Sequence, residues 1–257
     1  VDEAIRTVGG VTQTKIPGVH FGSTFSRLAG LADKLAVVRS YVGGSSGHGI
    51  RPIISNETLK ANLGSVYARL VGTNHSQTGI PTNIAIDPTA VEPDDNGPDV
   101  RFGTFVQTGE LEKMYEPFVP GGGSNMQKNM RLALPISRFD DRKGLLQSLD
   151  GLKSELDSTG VLDGVGKFRE QAYDMLIRGV AKAFDVTKED PATIARYDTS
   201  QYISDSKFAD KKNGQSGRHW YQTNARTLGR LLLLARRLWE GGAGFVTVTT
   251  QFVWDMH

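Results

Sequence analysis

The run Gly244-Phe245-Val246-Thr247-Val248-Thr249-Thr250-Gln251-Phe252-Val253 decides the fold. It is apolar and rich in β-branched residues, which predicts a strand. Just before it, Leu228, Leu231, Leu232, Ala235, Leu238 and Trp239 recur at helical spacing. That pattern predicts a helix with these residues inward and Arg226, Arg230 and Arg237 outward, stopped by Gly241-Gly242.

Working towards the N-terminus, the same alternation returns. Pro81-Thr82-Asn83-Ile84-Ala85-Ile86 reads as another strand, and Leu35-Ala36-Val37-Val38-Arg39-Ser40 as a short buried one. Between them, Leu59, Leu63, Val66, Tyr67 and Leu70 mark one helix face, with Gly72 as its end. Ser23 or Thr24 is positioned to cap a short helix carrying Phe25, Leu28, Ala29 and Ala32. Leu145, Leu146, Leu149, Leu152 and Leu156 form one further stripe, and Phe168, Ala172, Met175, Leu176, Val180 and Ala183 another. From Asp87 to about Pro135 no period holds, and such a long irregular stretch is usually functional or mobile. Asp185 to Gly217 is polar and turn-rich, and no internal repeat is present. Strand, helix, strand, then helix and strand again predicts an α/β fold: a parallel sheet with helices on its faces.

Composition sets outer limits. The chain has 257 residues with 30 Lys+Arg against 28 Asp+Glu, a balance that argues against a dedicated nucleic-acid binder. Hydrophobic residues at 38% and charged residues at 23% are ordinary for a globular chain able to bury a core. The absence of cysteine excludes disulfide scaffolds, thiolate zinc sites and cysteine nucleophiles. The longest aliphatic run, Leu231 to Ala235, is far short of a bilayer span, so no transmembrane segment is expected. The sequence opens on Val1-Asp2-Glu3 without a targeting leader and stops at His257, just after a strand-like run. A domain ending there is expected to be an incomplete, internal piece of a longer protein.

Chemistry is expected beyond the carboxyl ends of the strands, where open α/β sheets bind ligands. Two features fall there. One is Gly43-Gly44-Ser45-Ser46-Gly47-His48-Gly49, whose backbone N–H groups and serine hydroxyls could cradle an anion, with His48 as ligand or base. The alternative is a flexible turn, and no phosphate-loop Gly-Lys-Ser/Thr is present. The other is Trp254-Asp255-Met256-His257. If the last strand stays extended, Asp255 and His257 project from one face, a half-site for zinc, manganese or a similar ion. The alternative there is a surface Asp and a terminal His.

Lesser candidates read as structural. Asp94-Asp95-Asn96-Gly97 with Asp99 lacks the alternating ligands of a calcium loop and is expected to be a solvated turn. His20, His75 and His219 are scattered, and Lys207, Lys211, Lys212 and Arg218 read as a solvated loop.

Several segments in order carry a family resemblance. They are Pro17-Gly18-Val19-His20 leading into Phe25-Ser26-Arg27-Leu28-Ala29; Asp33 to Ser40; Leu63-Gly64-Ser65-Val66; and Pro117-Phe118-Val119. Asp141 to Leu146 with Leu149-Asp150, and Ala183-Phe184-Asp185-Val186 with Glu189-Asp190-Pro191 and Arg196-Tyr197, extend it. Leu232 to Leu238, Gly244 to Val248 and Trp254 to His257 complete it. Together they resemble the domain-of-unknown-function family numbered fifteen hundred and one, abundant in planctomycetes, over nearly the whole chain.

The resemblance implies a relative of the alkaline phosphatase and sulfatase superfamily. That means a three-layer α/β/α core over residues 1–257, one alkaline phosphatase-like domain with an irregular insertion at about 87–135. It also implies a divalent metal (zinc, manganese or calcium) at the strand ends and hydrolysis of phosphate or sulfate esters, small-molecule or glycan. Asp255 and His257 match the family's Trp-Asp-x-His element, which the resemblance implies as a metal-ligand pair. His48, the third metal-ligand candidate, matches a histidine common in the loop after the first strand, and Ser45 and Ser46 are the candidate nucleophiles. Relatives are usually exported, so a periplasmic or cell-surface location is expected. They also carry a histidine where this chain has Val42-Gly43, together with an upstream strand and a downstream half. A catalytically inactive surface or assembly protein that keeps the fold is the competing expectation.

Overall fold

The computed structural model describes residues 9–38, 40, 59–95, 97–98, 105–120, 135–154, 172–173, 175, 180–202 and 216–251. The chain divides into two compact units, residues 1–46 and 47–257. It is a mixture of helices and small sheets.

In the first unit, β1 (Val11–Gln13) pairs antiparallel with β2 (His20–Gly22), Thr12 opposite Phe21. The connecting loop is closed by Thr14, whose hydroxyl donates to the Val19 carbonyl at 2.9 Å. A 3-10 turn at Ser23–Phe25 leads into the one-turn helix α1 (Ser26–Ala29). Neither Ser23 nor Thr24 caps it: Gly22 and Phe25 hold the cap positions, and no side chain bonds there. Ala29 and Ala32 are buried while Phe25 and Leu28 are not, so the small residues of the stripe form the packed face.

The run Leu35–Val38 departs from its expected role as a buried strand. Its backbone is extended at Leu35, but it pairs with no strand among the described residues, and Val38 is 74% exposed. β-branching favours an extended chain, yet a strand is buried only when neighbours cover both its edges and its faces.

The second unit is organised around a parallel pair. β3 (Asn83–Ile86) and β4 (Phe245–Val248) align Asn83 with Phe245 and Ile86 with Val248. On its other side β3 meets Phe118: Phe118 N–H donates to the Asn83 carbonyl at 2.9 Å, and Ala85 N–H to the Phe118 carbonyl at 3.0 Å. The expected strands at Pro81–Ile86 and Gly244–Val253 therefore form, each shorter than the apolar run that encodes it.

Side chains alternate across the pair, and each face receives a helix. Asn83 and Phe245 face α2 (Leu63–Val71), which Asn62 caps by accepting the Ser65 N–H at 2.8 Å. Gly64 sits so close that a Cβ would collide with the Asn83 carboxamide, and a Cβ on Gly244 would strike the Tyr67 ring. This contact shifts the packed face: Tyr67 of the expected stripe still meets the sheet, against Phe245. Gly64, Ser65 and Ala68 are buried, whereas Leu63 and Leu70 are exposed, because a backbone this close to a sheet leaves no room for leucine.

Ile84, Ile86, Val246 and Val248 face the other way, into the main core with α5 (Ser216–Glu240). Thr223, Thr227, Leu231, Leu234 and Leu238 form its buried stripe at three- and four-residue intervals. Each fully buried leucine here contributes about 1.5–3 kcal/mol relative to exposure. Leu232 and Trp239, expected inward, lie off that stripe and are 45% and 68% exposed.

Two further α-helices lie among the described residues. α3 (Ile136–Ser154) buries Phe139, which meets Tyr173 edge-on at 5.1 Å, but leaves Leu145 exposed. α4 (Pro191–Arg196) is capped by Asp190 within the stretch expected to be turns. Most of the expected helix from Phe168 to Ala183 lies outside the described residues; Met175, Val180 and Ala181 join the core.

Candidate functional site

Parallel pairing puts the carboxyl ends of β3 and β4 side by side, and the chain turns outward there. Thr249 ties the two exits together, its N–H donating to the Ile86 carbonyl at 2.9 Å and its hydroxyl at 3.2 Å. After β3, Asp87 accepts the Thr89 N–H at 2.8 Å and hydroxyl at 2.6 Å, opening a 3-10 turn at Pro88–Ala90. After β4, Gln251 donates its backbone N–H to the Asn224 carboxamide oxygen at 3.1 Å.

The β3 loop returns to the same turn of α5. The Asp95 side chain, 2% exposed, accepts the Thr223 hydroxyl at 3.1 Å and the Arg226 guanidinium at 2.7 Å. One turn further along, Arg230 holds Glu92 at 2.6 Å and also donates to the Val91 carbonyl. Glu92 and Asp95 are three residues apart, and Arg230 and Arg226 four, so the two charge pairs run antiparallel along the helix. Arg237 pairs with Glu189 and donates to the Lys182 carbonyl at 2.8 Å.

Arg226 and Arg230 lie outward as expected, their side chains 44% and 41% exposed, and Arg237 is the inward exception at 14%. All three clamp loops to the helix, and one expectation is corrected. Asp95 is a buried, charge-paired carboxylate instead of part of a solvated turn, because Thr223 and Arg226 replace its hydration. His75 is a hydrogen-bonded histidine, its Nδ1 accepting the Thr78 N–H at 3.2 Å.

Residues 223–226 thus hold the loops leaving both strands. Sequence reading missed Thr223, Asn224 and Gln251: the first two stand in the mostly polar run Gln222 to Thr227, and only Gln251, inside a strand-like run, departs from its surroundings. Asp255 and His257 follow Gln251 by four and six residues. They lie outside the described residues, as do Ser45, Ser46 and His48. Among the described residues, no group of three or more His, Asp or Glu side chains could hold a metal ion.

The sequence matches, over residues 3–257, the family described as Protein of unknown function (DUF1501). The chain belongs to that family. No curated protein and no solved structure matches it. In this family member no described helix is long and apolar enough to cross a membrane.

Proposed function

We propose that this family member is a metal-dependent hydrolase of phosphate or sulfate esters on an alkaline phosphatase-like, three-layer α/β/α framework. The observation that carries the reading is the parallel β3–β4 pair with a helix against each face. Its carboxyl edge is where such sheets take ligands, and the chain leaving β4 runs directly into Trp254-Asp255-Met256-His257.

The donor set fits the chemistry. His48 and His257 offer imidazoles and Asp255 a carboxylate, a combination that suits zinc or manganese; calcium, which takes six to eight oxygens, is served less well. When bound, the ion polarises the ester oxygen and favours the deprotonated nucleophile. In this reading the hydroxyl oxygen of Ser45 or Ser46 would bond to phosphorus or sulfur as the ester's alkoxide leaves and takes up the proton. Water then releases phosphate or sulfate from the serine, and the glycine-rich run around them offers backbone N–H groups by its composition. Export to the periplasm or cell surface accompanies this reading, and fractionation of the source cells tests it.

The deciding experiment is metal analysis of the full-length protein alongside assays with phosphate and sulfate esters, with His257→Ala as control. Bound metal and turnover in the wild type, both lost in the variant, support the reading. No metal and no turnover defeat it.

A second reading, an inactive surface or assembly protein that keeps the fold, is favoured by exposed apolar side chains on both helices. Leu70 is 79% exposed on α2 and Trp239 68% on α5. Robust ester turnover excludes this alternative.

A further inference from the structure

We draw no further inference here: the strongest candidate, the edge of β4 away from β3, uncharged from Phe245 to Gln251 and paired with no strand among the described residues, carries no proposal because nothing in the structure shows what covers it.

Discussion

The Asn224 carboxamide oxygen lies 3.1 Å from the backbone nitrogen of Gln251, joining the middle of α5 to the chain just beyond β4. With Thr249 bonded to Ile86, it fixes the direction in which the polypeptide leaves the sheet. Asn224→Ala leaves a buried N–H without an acceptor and should cost about 1–3 kcal/mol of stability. Asn224→Asp keeps an acceptor oxygen and should recover most of it. Urea denaturation gives the magnitude, and amide hydrogen exchange at Gln251 shows whether the loss is local. Equal exchange in the wild type and Asn224→Ala would show that this bond does not hold the exit.

Asp95 and Arg226 form the second attachment of that turn. The Asp95 side chain is 2% exposed and the Arg226 side chain 44%, so solvent screens one partner only. Removing one partner of a fully buried pair costs about 3–5 kcal/mol, and the exposure of Arg226 lowers the expectation to about 1–3 kcal/mol for Arg226→Met. Adding Asp95→Asn to that variant should restore part of the loss, because the charge that Arg226 faced is gone. A double-mutant cycle measured by chemical denaturation checks this. Additive single effects would mean the pair is not coupled.

Gly229 occupies the interior of α5, where alanine ordinarily stabilises a helix by up to about 1 kcal/mol. Here a Cβ would collide with the backbone carbonyl of Tyr197. The Thr199 hydroxyl also donates to the Ala225 carbonyl at 2.6 Å and accepts the Gly229 N–H at 3.0 Å, seating the segment after α4 against the helix. Gly229→Ala must push that segment away and should destabilise by about 1–3 kcal/mol. Thermal unfolding decides the sign, and a raised Tm would show that the close approach is absent in solution.

The parts of the fold that were legible in the sequence are those set by local pattern. Ile84 and Ile86 announced a strand, Gly72 a helix end, and the leucines after Leu228 a helix, because period and glycine placement act within a few residues. Burial was less legible because a partner decides it. Leu70 and Trp239 fit their helical periods but lie outside the packed faces, while Gly64 and Thr227, unremarkable as letters, are enclosed. Val37 and Val38 show the same limit for strands. Asp255 and His257 were visible as chemical types and lie outside the described residues. Asp95 was visible only as part of an acidic turn, and Asn224 and Gln251 not at all, because their roles arise from pairings across more than twenty residues that no spacing rule encodes.

Acid stability gives the last prediction. Asp190 caps α4 by accepting the Thr193 N–H at 3.0 Å, with Pro191 at the first helical position. Hydrogen bonds from the Thr193 side chain and then from its backbone hold the Asp190 carboxyl below the ordinary carboxylate range. Asp198 is lowered in the same way by Ser200. A pKa lower in the folded than in the unfolded state means that the unfolded chain takes up protons first as pH falls. The stabilisation is therefore present above the ordinary aspartate pKa and is lost as pH drops through the depressed folded values. Asp190→Asn keeps a capping oxygen but does not titrate. Stability measured from about pH 6 to about pH 2 should fall less steeply in Asp190→Asn than in the wild type, with Asp198 accounting for part of the remaining slope. Superimposable pH profiles for the two proteins would show that the cap is not charge-assisted and that acid sensitivity originates elsewhere.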